Sequence, residues 1–160
     1  MSSDAALFET TRCLCLAARR ASRAITREFD QALRAHGLRA TQFTLLSALH
    51  LAGPQSIGEL AELLSTDRTT LTRNLAIAEQ HEWVMLRPDR NDARSRIATI
   101  TPKGVRALLA ALPDWQKTQR RLTEEIGPQT AASLRELAGG PCVMPLPDRN
   151  DPATRKEKTR

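Results

Sequence analysis

The sequence predicts a mainly α-helical fold carrying one small β-hairpin, and three observations support that expectation. Apolar residues make up 41% of the 160 positions but aromatic residues only 3%, so the core must be built from Leu, Ala, Ile and Val, a composition that favours packed helices over a β-sandwich. Apolar positions recur at intervals of three and four along most of the chain. Only Trp83-Val84-Met85-Leu86-Arg87 and Arg96-Ile97-Ala98-Thr99-Ile100 read as strands, and the polar run from Pro88 to Ser95 between them reads as an extended hairpin tip. The length suits one domain of ordinary size.

From Asp4 to about Ala35 there is neither Pro nor Gly, and Leu14, Ala18, Ala21, Ile25, Phe29 and Ala32 form one stripe; a single long helix fits, with Arg12, Arg19, Arg20, Arg23 and Arg27 on its other faces. Gly37 is its stop signal. A helix of about thirty residues is about 45 Å long, more than a compact domain of this size covers, so part of it is expected to pack on a second copy of the chain. Thr41 is the expected cap of the next helix, in which Phe43, Leu45, Leu46, Leu49 and Leu51 supply the buried side before Gly53-Pro54 ends it. Ser56-Ile57 is long enough for only one rung of a small sheet.

Two short amphipathic helices follow. Ile57, Leu60, Ala61 and Leu64 share one face of the first, and Leu71, Leu75 and Ala78 share one face of the second, with a break at Ser65 to Asp67. Thr66 or Asp67 caps the second helix. With its leucines turned inward, that helix presents Arg68, Thr69, Thr72 and Arg73 outward, with no carboxylate between Arg68 and Ala78. Solvated faces usually mix Glu and Lys, whereas hydroxyls and guanidinium groups are what bond to phosphates and base edges in a major groove. The bland alternative is a polar surface helix that happens to be rich in Thr. The basic hairpin tip, directly after a helix-turn-helix, is most economically a wing that reaches phosphates or the minor groove.

Thr101 caps the next helix and Pro102 occupies its first turn, where a missing amide costs nothing. Val105, Leu108, Leu109 and Leu112 line it; Pro113 should kink or interrupt it, although the pattern continues through Trp115, Leu122 and Ile126 to Gly127-Pro128. Trp115 is read as dimer core. Ala131, Leu134, Leu137 and Ala138 form a last short helix. From Gly139 the chain is rich in Pro and Gly, and 139–160 reads as a disordered tail.

The 24 Lys and Arg outnumber the 18 Asp and Glu, for a net charge of +6, which favours a polyanionic partner. No apolar run approaches the ~18 residues of a membrane span and no signal peptide is evident, so the expected location is the cytoplasm, with no membrane partner. Cys13, Cys15 and Cys142 are too few for a disulfide framework and are read as thiols in a reducing compartment. His36, His50 and His81 have no metal-ligand spacing to one another or to Cys; no metal and no cofactor is expected, and His36 and His81 are placed near helix C-termini. No phosphate loop or catalytic motif is found, so the chain is not read as an enzyme.

The order of these elements, with Asp67-Arg68-Thr69-Thr70-Leu71-Thr72-Arg73-Asn74-Leu75, the wing motif Asp92-Ala93-Arg94-Ser95-Arg96 and the junction Ile100-Thr101-Pro102-Lys103-Gly104, resembles the MarR family of winged helix-turn-helix transcriptional regulators from about Leu7 to Leu137. The resemblance implies a winged helix-turn-helix domain at 37–101 that binds double-stranded DNA, and a homodimer joined through an N-terminal helix at 1–36 and C-terminal helices at 102–138. It places Thr66, Arg68, Thr69, Thr70, Thr72 and Arg73 on DNA from the recognition helix and Arg94 from the wing, with Asp92 holding Arg94. It also implies a ligand-responsive repressor of an inverted-repeat operator, released by a small aromatic or anionic effector in a crevice between the domains. Two departures stand out: Gly139-Gly140-Pro141 stops the final helix, and Ala76-Ile77-Ala78 replaces a Leu-rich end of the recognition helix.

One branch of that family senses oxidants through a cysteine in its first helix, which makes Cys13 and Cys15 redox candidates, with Arg12 and Arg19 near enough to favour a thiolate. Against this, helical spacing turns the two about 200° apart and the chain has no Tyr to steady a reactive thiol. Buried structural thiols are the expectation. A basic adaptor that binds polyanions without sequence preference remains the alternative from another class.

Overall fold

The computed structural model describes residues 7–89 and 95–139. Six α-helices and a three-stranded antiparallel sheet make up the described chain: α1 (Leu14–Leu33), α2 (Ala40–Ala52), β1 (Gln55–Ser56), α3 (Ile57–Leu63), α4 (Arg68–Gln80), β2 (Val84–Pro88), β3 (Arg96–Ile100), α5 (Pro102–Ile126) and α6 (Pro128–Leu137). The mainly helical fold with a small hairpin is the one the composition predicts.

The first helix is shorter than expected. A 3₁₀ turn at Glu9–Arg12 ends at Cys13, whose ψ of 120° breaks the helix before Leu14. The hydroxyls of Thr10 and Thr11 donate to the carbonyls of Leu7 and Phe8, each at 2.7 Å, and such local bonds compete with a continuous helix. Among the described residues nothing packs on this stretch to straighten it, and every residue from 7 to 24 is exposed. The expected stripe is therefore half buried only at Ile25, Phe29 and Ala32, and Leu14 is 85% exposed. Gly37, at φ +69°, terminates the 3₁₀ turn Arg34–His36 that follows α1, the left-handed geometry that glycine adopts at no steric cost.

Thr41 does not cap α2. That helix has its cap position two residues earlier, at Arg39, with the Ala40 N–H donating to the Asp30 carboxylate of α1 at 2.7 Å and the Arg39 N–H to the Gln42 side chain at 2.8 Å. Its Phe43, Leu45, Leu46 and Leu49 are buried as expected, joined by Ala48, while Leu51 is exposed. Trp115 is not left for a partner copy: its ring stacks on Phe43 at 5.5 Å and on Phe29 at 6.0 Å between centroids. Three of the five aromatic residues thus tie α1, α2 and α5 together within one chain, where such contacts contribute beyond simple burial. Arg121 of α5 adds a polar tie, donating to Glu28 of α1 and to Glu125, both at 2.7 Å.

Helix α5 runs through Pro113 without interruption, and Gly127-Pro128 ends it. Leu108 and Ala111 face the core, whereas Leu109, expected on that side, is 53% exposed. His36 is not simply at a helix end; its Nε2 lies 2.8 Å from the Asp114 carboxylate of α5. His81 stacks on Trp83 at 4.3 Å.

The strand order is β1-β3-β2, with Val84 opposite Ile100 and Pro88 opposite Arg96 in the hairpin, and Gln55 opposite Ala98 in the short rung. That rung is one residue earlier than the expected Ser56-Ile57. The base of the hairpin is clamped to α5. Thr101 donates its N–H to the Trp83 carbonyl at 2.9 Å and its hydroxyl to the Glu82 carbonyl at 2.7 Å, while its oxygen accepts the Gly104 N–H at 3.0 Å. Gly104 comes so close that a Cβ there would lie 2.2 Å from the Trp83 carbonyl oxygen and 2.9 Å from Ile100 Cγ1. Gly104→Ala therefore has to push backbone away from backbone, and overpacking of this kind costs about 2–3 kcal/mol; a denaturant midpoint equal to that of the wild type would contradict the packing described.

Candidate nucleic-acid interface

The two helices of the helix-turn-helix are set at a fixed angle by how α3 ends and α4 begins. Ser56 and Glu59 form a reciprocal cap at the start of α3, the Ser56 N–H donating to Glu59 at 2.8 Å and the Glu59 N–H to Ser56 Oγ at 3.2 Å. At its end the Ser65 N–H returns to the Glu62 carbonyl and the Thr66 N–H to the Ala61 carbonyl, both at 3.0 Å, with Ser65 left-handed at φ +47°. This is the termination that usually takes glycine. Helix α4 stops in the same way, its left-handed residue being Glu82 at φ +60°.

Asp67, not Thr66, caps α4. Its carboxylate accepts the Thr70 N–H at 2.8 Å and the Thr70 hydroxyl at 2.7 Å, and these bonds hold its pKa below the ordinary 3.8. Leu71, Leu75 and Ala78 are buried as the spacing predicts. At about 100° per residue, the line directly opposite them runs through Thr69, Arg73, Ala76 and Gln80, all exposed. Arg68 and Thr72 flank this line on one side. The Thr72 hydroxyl donates to the Arg68 carbonyl at 2.7 Å, so towards a ligand that oxygen can only accept. Arg68 and Arg73 make no ion pair among the described residues.

Thr66 and Thr70 lie on the other flank. With Asn74 they face a crevice of 290 Å³ between the inner side of α4, Thr26 of α1, and Thr41 and Thr44 of α2, over a floor that includes Leu45 and Leu71. Spacing alone does not reveal it, because its walls come from three helices and the turn before α4. Ala76 and Gln80 complete the outward line, and neither carries the hydroxyl or guanidinium group that marks Thr69 and Arg73 in the sequence. Arg87 and Arg96 stand exposed on the described arms of the hairpin. Arg94 and Asp92, the expected wing residues, lie outside the described residues, as do Cys142 and the tail from residue 140.

Cys13 and Cys15 are exposed, so the expectation of buried structural thiols is wrong. They lie on a stretch that no other described residue covers. Because Cys13 precedes the helix, the argument from helical spacing does not separate the two thiols either. No group of metal-ligating side chains is found among the described residues, nor is any of their helices long and apolar enough to cross a membrane.

The model of the MarR family matches residues 38–95, the segment that holds α2, the helix-turn-helix and the first strand of the hairpin. The uncharacterized HTH-type transcriptional regulator YxaD of Bacillus subtilis is 32% identical over 106 residues, covering 66% of this chain and 71% of YxaD. The chain belongs to the MarR family. Among solved structures, the M. tuberculosis transcriptional regulator MosR in complex with DNA matches this MarR-family chain with a TM-score of 0.71 and 35% identity, covering 78% of this chain and 92% of MosR. The transcriptional activatory protein BadR of Rhodopseudomonas palustris is 36% identical over 77 residues, a match spanning 46% of this chain and 44% of BadR; the chain thus aligns with less than half of that relative. These relatives are transcriptional regulators, not enzymes, and the structural match is to the same winged helical fold.

The capping geometry carries a pH dependence. A carboxylate whose folded pKa is lowered stabilises the fold fully above its unfolded value and loses that contribution as the pH falls through the folded one. For Asp67 the loss begins below 3.8. Asp67→Asn retains an acceptor for the Thr70 N–H but has no proton to take up, so its melting temperature is expected to fall less steeply under acid than that of the wild type. Parallel acid profiles measured by circular dichroism would contradict this assignment of the cap.

Proposed function

We propose that this MarR-family regulator binds an inverted-repeat operator as a homodimer and acts as a ligand-responsive repressor. The observation that carries this reading is the uncovered line Thr69–Arg73–Gln80 on α4, flanked by Arg68 and Thr72 and held by a helix-turn-helix whose every terminus is capped. MosR, in complex with DNA, supports it through likeness of fold and sequence. In this reading Arg73 reads base edges, Arg68 meets phosphates from the flank beside Thr72, and Thr66 and Thr70 stand at the edge of the interface, Thr70 bonded to the Asp67 cap. Arg94 contacts DNA from the wing and Asp92 holds it; the motif Asp-x-Arg-Ser-Arg is their support.

Residues 37–101 form the DNA-binding unit, while 1–36 and 102–138 supply the dimer contact. Supporting that contact are the apolar side chains that one chain leaves uncovered: Leu7 and Phe8 at 62% and 68% exposed, Leu14 at 85% and Leu137 at 87%. Burying a side chain of this kind contributes about 1.5–3 kcal/mol. The crevice behind α4 suits a small aromatic effector, whose ring would lie on Leu45 and Leu71 and whose polar substituents would meet the surrounding hydroxyls. Occupancy there bears on Thr70 and Asn74, and so on the helix that faces DNA.

Selection from randomised inverted repeats is expected to enrich half-sites separated by about one helical turn; equal binding to every duplex leaves only the electrostatic attraction of a basic adaptor. On the selected site, Arg73→Ala should lose about 1–3 kcal/mol of discrimination for each bidentate contact removed, whereas Arg94→Ala should weaken all sequences alike and reduce the salt slope by about one. If Arg73→Ala keeps operator preference while remaining folded, the orientation assigned to α4 is wrong.

The exposed thiols favour a second reading of the signal, in which peroxide oxidises Cys13 or Cys15 to a sulfenic acid and alters dimer contacts. Under mild peroxide the wild type should then lose operator affinity, and Cys13→Ser with Cys15→Ser should not. Unchanged affinity of the wild type under that treatment would dismiss it.

A further inference from the structure

Gly58 stands at the second position of α3, where it is not required by the backbone, since its φ is not in the left-handed region. Glycine within a helix is unfavourable relative to alanine because it loses more conformational freedom on folding. What lies against its bare Cα is the side chain of Arg68: a Cβ at residue 58 would be 3.2 Å from Arg68 Nη2, with Ser56 Oγ the next atom at 3.8 Å. The guanidinium of the first residue of the recognition helix therefore rests across the first turn of the preceding helix. Its charge is badly placed for folding alone, because the N-terminal end of a helix disfavours cations. An arginine there makes sense when a polyanion completes the site.

We infer that Gly58 is a positioning residue: the absence of a side chain forms a shelf that fixes where the Arg68 guanidinium meets DNA. The inference rests on Arg68 being a DNA contact, as proposed above. A methyl group at 58 touches no base or phosphate in that arrangement and reaches the duplex only through Arg68. A contact of 3.2 Å is too close to keep, so the guanidinium must shift by a few tenths of an ångström. Displacement of that size at a charged hydrogen bond degrades its geometry while leaving the fold intact.

The test is a double-mutant cycle on the full chain, with the best duplex from the inverted-repeat selection as the probe. Gly58→Ala is expected to weaken binding about three- to tenfold beside the native Arg68 and by less than about twofold in the Arg68→Ala background, a coupling typical of side chains in contact. Its salt slope should move towards that of Arg68→Ala, and its thermal midpoint should not fall, because alanine is the better helix former. Equal losses in both backgrounds, or no loss beside native Arg68, overturn the role of Gly58 while leaving Arg68 as a contact. An Arg68→Ala variant that binds like the wild type overturns both.

Discussion

The carbonyl group of Trp83 is the point on which the winged unit depends. The Trp83 N–H returns to Ala78 and terminates α4, its carbonyl accepts the Thr101 N–H at the start of α5, and Gly104 packs against the same oxygen. One peptide thus sets the end of the recognition helix, the origin of the hairpin and the angle at which the long helix leaves. Glu82 holds its left-handed backbone beside it, a conformation that costs about 1–2 kcal/mol for a residue with a side chain. Its carbonyl takes the Thr101 hydroxyl and its carboxylate takes Lys103 at 2.6 Å, and that hydrogen bond, with the lysine charge behind it, lowers the Glu82 pKa. Compensation at one residue keeps the wing and the recognition helix in register.

Rigidity is distributed unevenly along the molecule. The helix-turn-helix has reciprocal caps at α3, a carboxylate cap at α4 and bonded helix ends at both, all within one sequence segment. The helical part is held instead by the aromatic stack of Phe29, Phe43 and Trp115 and by the two carboxylates around Arg121. Beyond Ile25 towards the N-terminus even those contacts cease, and apolar side chains stand in water. The helix-turn-helix is thus held by its own short-range bonds, whereas residues 7–24 are exposed throughout.

The crevice behind α4 lies where these regimes meet. Its walls belong to the recognition helix, to the turn before it and to α1 and α2, two of the three helices that carry the aromatic stack. The crevice lies on the inner side of the same helix whose outer side carries Arg73, so the two are faces of one element.

Sequence alone determined the elements whose signals are local. The spacing of Leu71, Leu75 and Ala78, the two hairpin strands and the Thr101-Pro102 helix start all act over a few residues and were legible without coordinates. The cap expected at Thr41 was not, because Asp30 on another helix takes the Ala40 N–H. What only the tertiary structure decided was which apolar surface meets which. Leu14 and Leu109 belong to good helical stripes yet stay uncovered, Trp115 closes on its own chain, and Cys13 and Cys15 lie in the open, because burial depends on what packs across from a helix face and not on the periodicity of that face. The pose of Arg68 over Gly58 is of the same kind, a contact between residues on two helices whose separation is fixed by the turn.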